Sequence, residues 1–162
     1  MNKNSNPSQE NSSEQEIANL RIVPEERYLS AIVDVVSDIA QASGISKKET
    51  ANLDKVLIEI FENIVKFGFG GDTCKPIEVS ILKRLHTLVI ALQDKGLPFD
   101  YENLEHGEDK RFKSYLSKGY ADQVHFYTLG NQGNRTEIVK SLPATDIRDE
   151  MDISEHHNHL RI

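Results

Sequence analysis

Glu59, Glu62, Asn63 and Lys66 recur at steps of three and four through an otherwise apolar stretch. At roughly 100° per residue they share about a quarter of a helix's circumference. A carboxylate one turn before a side-chain amide can set a general base for water or a hydroxyl beside an oxygen ligand for Mg²⁺. That ion takes few protein oxygens and completes its shell from water or substrate phosphates. The stripe also reads as the solvated edge of a buried helix, with Glu59 and Glu62 supporting Asn63 and Lys66 at i,i+4 spacing. Asn63 counts against that reading, because asparagine at mid-helix costs roughly 0.5 kcal/mol relative to alanine.

A second group, Asp94-Lys95-Gly96, follows directly on an apolar run. An aspartate at a strand end can accept a hydrogen bond from an exocyclic amine such as adenine N6, and a glycine two residues on lets backbone pass close to a flat ligand. Taken alone, Asp-x-Gly after a strand is an ordinary turn signal. Other candidates are weaker. His156, His157 and His159 form a cluster in an acidic tail that reads as adventitious, whereas His86, His106 and His125 are scattered without ligand-spaced partners. Cys74, the only cysteine, reads as a plain thiol and excludes an intramolecular disulfide.

These residues need elements to hold them. Residues 1–17 are dominated by Asn, Ser, Gln and Glu and read as a disordered tail, as do residues 143–162, leaving a domain over 18–142. Ala18 to Val23 has β character that Pro24 ends. Leu29, Ile32, Val33, Val36 and Ile39 define an amphipathic helix over Glu25–Ala42, stopped by Gly44. Ser46 and Glu49 form a capping box that opens a longer helix, with Leu53, Leu57, Ile60 and Ile64 on its apolar face, running to about Phe67 and ended by Gly68, Gly70 and Gly71. Pro76–Lys83 and Leu85–Gln93 form a hairpin around Arg84. Val124–Leu129 and Thr136–Leu142 form another around the turn Gly130–Asn134. Between the hairpins, Asp94–Gly119 is charged and aperiodic, as a lid-like segment would be. The expected class is α+β: a two-layer sandwich with a mixed, mostly antiparallel sheet and the helices packed on one face.

Length and charge narrow the function classes. A chain of 162 residues suits one domain. The formal charge of −7 falls as −2 on residues 1–17, −3 on residues 143–162 and −2 on the domain. That near-balanced domain has no basic stripe for a phosphate backbone, so nucleic acid is not an expected partner. No signal peptide and no run of roughly 20 apolar residues is present, so a cytoplasmic protein without membrane insertion is expected.

In order and spacing, Glu59-x-x-x-Asn63 and Asp94-x-Gly96 resemble the N box and the first glycine box of the GHKL ATPase superfamily. Within it, LIEIFENIVKFGFG and LQDKGLPFDYENL are most similar to bacterial anti-sigma-factor serine/threonine kinases and related switch proteins, and ADQVHFYTLGNQGNRTEIVKSL is similar to their last two strands. The likeness spans about Leu20 to Leu142. It implies a histidine-kinase-like ATPase fold binding ATP and Mg²⁺, with Asn63 on the metal and Glu59 as general base. Asp94 would hold the adenine amine with Gly96 beside it, and Lys66 would lie near the phosphates. It further implies phosphorylation of a partner's serine or threonine, a sigma factor or antagonist protein as partner, and a possible homodimer. The chain departs from the family where a second glycine box would stand: Lys110-Arg111-Phe112-Lys113-Ser114 contains no glycine pair. Lys110, Arg111, Lys113 and Lys118 could replace amide contacts with charge, or could be a solvated helix face. The alternative function is a non-catalytic interaction module on the same, degenerate fold.

Overall fold

A computed structural model describes residues 14–99 and 118–144. Their elements run β1 (Glu14–Ile22), α1 (Glu26–Ala42), α2 (Lys47–Asn63), a π-helical turn (Ile64–Gly68), β2 (Ile77–Arg84), β3 (Thr87–Asp94), β4 (Gln123–Thr128) and β5 (Asn134–Ser141). The five strands form one sheet in the order β1-β2-β3-β5-β4. Every adjacent pair is antiparallel, so the expected two-layer α+β arrangement holds and the sheet is antiparallel rather than mixed.

Strand alternation sorts the side chains into two faces. Leu20 and Ile22, Ile77, Val79 and Ile81, Leu88, Ile90 and Leu92, and Ile138 point toward the helices. There they meet Ile32, Val36 and Ala40 of α1 and Leu53, Val56, Leu57, Ile60 and Ile64 of the second helix. Each such side chain, once buried, is worth about 1.5–3 kcal/mol, which is why the 3.6-residue and two-residue apolar periods face each other. The opposite face carries a small apolar patch, Leu82, Val89 and Ala91 with Val139. Beside it lies an ion-pair chain in which Arg84 bridges Glu14 and Glu137, and Arg135 Nε also bonds Glu137, at 2.9 Å.

The helix starts are as expected. Ser46 Oγ accepts from the Glu49 amide at 3.3 Å and donates to the Glu49 carboxylate at 2.7 Å, closing the capping box. Glu25, by contrast, caps α1 without a side-chain bond. Several boundaries differ, and Arg84 closes β2 rather than forming the turn. β1 begins at Glu14 rather than Ala18, because Glu14 pairs with Arg84 and Glu16 with Leu82, on the far side of a bulge at Ile17. Polar composition did not keep those residues from sheet pairing. Asn134 is not in the turn before β5 but opens that strand, opposite Asp94. The α-helical bonding of the second helix stops at Asn63, and one π turn carries it on to Gly68. Expectations about the tails (1–13, 145–162) and about most of the lid-like segment (100–117) lie outside the described residues.

Candidate functional site

The site is assembled where the C-terminal end of the second helix meets the end of β3. A π turn is wider than an α turn and often marks functional positions. Here the Phe69 amide reaches back to Ile64 O at 2.9 Å, and Gly68 O is left to accept from the Leu97 amide at 2.8 Å. Helix end and strand end are thereby bonded backbone to backbone. The approach is very close: a Cβ on Gly96 would stand 2.7 Å from Gly68 C and O. Gly68, expected as a stop signal, is one wall of the contact. Gly96 is required by a neighbouring backbone, whatever lies beside it.

Asp94 is 2% exposed, on the helix-facing side of the last position of β3. Its Oδ1 accepts from the Gly96 amide at 2.8 Å and from Asn134 Nδ2 at 3.2 Å, and Asn134 Nδ2 also reaches Gly96 O at 2.9 Å. Among the described residues no bond is made to Oδ2. Burial pushes the Asp94 carboxyl above its ordinary value, against the lowering effect of those two donors. Gly133 completes the lock. Its φ is +91°, and a Cβ there would stand 1.9 Å from Asp94 O, so only glycine fits where β5 approaches the Asp94 backbone. Asn134 and Gly133 thus fix Asp94, and sequence reasoning assigned both to a generic turn. The signal that could have found them is an Asn directly after Gly at the start of a strand that pairs with β3.

Asp94, Pro98, Phe99, Phe126, Tyr127, Thr128, Asn134 and Thr136 line one cavity with Arg135. It is walled by aromatic and polar groups suited to a flat base with one amine donor, and Thr136 within it is 4% exposed. Its free volume of about 50 Å³ is smaller than a purine, so a base can enter only if a wall gives way. Pro98 and Phe99 are the obvious wall: Phe99 rests on Phe67 with ring centroids 5.7 Å apart, a contact between two side chains rather than a strand pairing.

The stripe on the second helix is divided. Glu59 and Asn63 are buried, at 7% and 4% exposure, whereas Glu62 and Lys66 are exposed. Asn63 Nδ2 is shielded from solvent and, among the described residues, has no hydrogen-bond partner. An amide's N and O ends are assigned from its partners, so this side chain holds unspent polar capacity in a place where that costs about 1–3 kcal/mol. An unsatisfied buried amide fits a group that arrives from elsewhere, and its oxygen is the donor type Mg²⁺ takes. Among the described residues no three His, Cys, Asp or Glu side chains converge as a cation cage. Magnesium held there would therefore draw its other ligands from phosphate oxygens and water. Glu62 and Lys66 face a different cavity, of about 580 Å³, together with Pro24, Glu26, Leu29, Phe61, Val65, Gly71 and Thr73. Lys66 Nζ lies 5.0 Å from the centre of the Phe67 ring. Asp94, Gly96 and the helix end are thus brought together, while Lys66 lines the other cavity. Of the basic run near the expected second glycine box, Lys118 lies 6.0 Å over the Tyr120 ring, and Lys110, Arg111 and Lys113 fall outside the described residues.

No helix among the described residues is long and apolar enough to cross a membrane. No characterised protein matches the chain. A family profile for the histidine kinase-like ATPase domain, however, matches residues 22–140, from the end of β1 into β5 and well over half the chain. With its buried carboxylate at the end of β3 and its amide on the preceding helix, the chain belongs to the histidine kinase-like ATPase domain family, within the GHKL-type ATPases.

Proposed function

We propose that the protein binds Mg-ATP at the junction of the second helix with β3 and β5, and that it acts as a regulatory protein of the anti-sigma-kinase type. The observation that carries the nucleotide reading is the state of Asp94. Its Oδ1 is held by two donors, its carboxylate is buried, and the residue lines an aromatic cavity. A carboxylate fixed through one oxygen can offer the other to the adenine amine without reorganising.

Asn63 would hold Mg²⁺ through its amide oxygen, and the metal would supply charge neutralisation at the phosphates. Glu59, one turn earlier and buried beside the same helix edge, is the candidate general base for the attacking hydroxyl. Phosphoryl transfer depends mostly on positioning and on neutralising charge. The described elements support that task by fixing the helix end to the strand end through the Gly68 to Leu97 bond. A cytoplasmic partner, a sigma factor or an antagonist protein, would supply the serine or threonine. Self-association is part of this reading.

The test is calorimetric titration of ATP with and without Mg²⁺ into wild type, Asp94→Asn and Asn63→Ala. Asp94→Asn should weaken binding at least tenfold whether or not metal is present, and Asn63→Ala should abolish the Mg²⁺ dependence. No binding by wild type up to millimolar ATP would refute the nucleotide reading. Mg-dependent binding without transfer to any sigma-factor or antagonist partner would favour the non-catalytic module, a reading supported by the missing glycine pair at Lys110–Ser114.

A further inference from the structure

Behind Asp94, toward the sheet's other face, lies a second cavity of about 400 Å³, lined by Arg21, Phe69, Lys75, Pro76, Glu78, Gln93, Asp94 and Lys95. Strand alternation explains its composition. Arg21, Glu78 and Gln93 stand side by side on the helix-free face, where Arg21 pairs in register with Glu78 and Glu78 with Gln93. The loop after the π turn brings Phe69, Lys75 and Pro76 against them, and the turn after β3 adds Lys95. Three cations therefore meet in one concavity of a chain whose formal charge is −7.

The cations outnumber the carboxylates of the lining, three against Glu78 and Asp94. Glu78 faces Arg21 across the strands, yet its Oε1 accepts instead from Asn19 Nδ2 at 3.0 Å. Asp94 turns its carboxylate to the helix-facing side, where Gly96 and Asn134 hold it. Among the described residues neither Arg21 nor Lys95 forms an ion pair, and Lys75 lies 5.7 Å over the Phe69 ring. Here an arginine, which can bind two oxygens of one phosphate at once, converges with two point charges around an aromatic and a proline wall.

We infer that this cavity binds the phosphate group of a small phosphorylated metabolite, with Arg21 and Lys95 as its principal ligands and Lys75 as the third cation. Its volume falls in the range of small-molecule pockets. The Phe69 and Pro76 wall suits the body of a phosphomonoester, and Gln93 offers a donor and Glu78 an acceptor for its hydroxyls. The inference does not depend on ATP binding, because none of its three cations is proposed to bind ATP.

The test is a ¹⁵N-resolved NMR titration of the full chain with inorganic phosphate, then with ribose 5-phosphate, at constant ionic strength. Shifts should saturate at the amides of Arg21, Lys75, Gln93 and Lys95, and ribose 5-phosphate should bind more tightly than phosphate because it also meets the wall. Arg21→Gln with Lys95→Gln should weaken binding more than tenfold, since charge-assisted bonds to a phosphate are the strong ones. Both side chains are exposed and, among the described residues, form no ion pair, so the fold should survive. Lys83→Gln, which removes the same charge from the other end of β2, should leave affinity unchanged. Asn63→Ala should also leave it unchanged, which separates this site from any phosphate site at the helix end. Absence of saturable shifts at these amides, or equal weakening by Lys83→Gln, would overturn the assignment. Binding of phosphate without preference for ribose 5-phosphate would overturn the metabolite class.

Discussion

The contact between Gly96 and Gly68 is the joint on which the site depends, and Gly96→Ala tests it directly. Gly96 is not among the residues with positive φ, so alanine pays no backbone penalty there and the cost is purely one of contact. The added Cβ would stand 2.7, 2.7 and 2.9 Å from Gly68 C, O and Cα, backbone atoms that cannot swing aside as a flexible side chain could. Relief to ordinary contact at 3.4 Å requires a shift of about 0.7 Å, enough to break the 2.8 Å bond from the Leu97 amide to Gly68 O. Overpacking of this kind costs about 1–3 kcal/mol, and the bond about 0.5–1.5 kcal/mol more, for a total of about 2–4 kcal/mol. Against a total stability of about 5–15 kcal/mol, the variant should stay folded. With a urea slope of about 2 kcal/mol/M, its unfolding midpoint should fall by about 1–2 M. Gly70→Ala is the control: φ is +62° and nothing lies within 4 Å, so it should lose only the left-handed penalty, about 1 kcal/mol. If Gly96→Ala unfolds within about 0.5 kcal/mol of wild type, or no lower than Gly70→Ala, the close approach is not what joins the helix to the strand.

Two further outcomes concern titrating groups. The folded Asp94 carboxyl lies above its ordinary value of 3.8 through burial, only partly offset by the Gly96 and Asn134 donors. Its protonated form therefore favours folding: that stability is full below about pH 4 and is lost as pH rises through the raised value. Asp94→Asn keeps a carbonyl oxygen for both donors, so in denaturant titrations at pH 7 it should be at least as stable as wild type. It should also lack this acid-side gain, while losing nucleotide. A clear loss of stability at neutral pH would contradict the stated cause. Glu137 behaves oppositely. Burial pushes it up, but bonds and charges from Arg84 and Arg135 outweigh that and hold it below 4.5, so its contribution is present above that value and fades as pH falls through the lowered one. Because Arg84 and Arg135 are 36% and 26% exposed, solvent screening reduces the effect. Glu137→Gln should cost about 1–2 kcal/mol at pH 7 and flatten the acid limb of the stability profile. An unchanged profile would remove the ion-pair chain as a stabilising element.

Periodicity was enough to determined the elements that bury one continuous face. Leu53, Leu57, Ile60 and Ile64 fix the second helix, and Ser46 with Glu49 fixes its start, because these signals are local and repeat within one or two turns. The pair Glu59 and Asn63 was legible for the same reason, as was Asp94 at the end of an apolar strand. What lies across the sheet was not legible. That β1 starts at Glu14 depends on Arg84, seventy residues away. That Asn134 and Gly133 lock Asp94 depends on the pairing of β3 with β5, and no local pattern announces which strand will become a neighbour. The division of the helical stripe, with Glu59 and Asn63 buried and Glu62 and Lys66 exposed, likewise follows from where the chain packs around the helix. A helical wheel gives the angle between side chains, and only tertiary contacts decide which angle faces solvent.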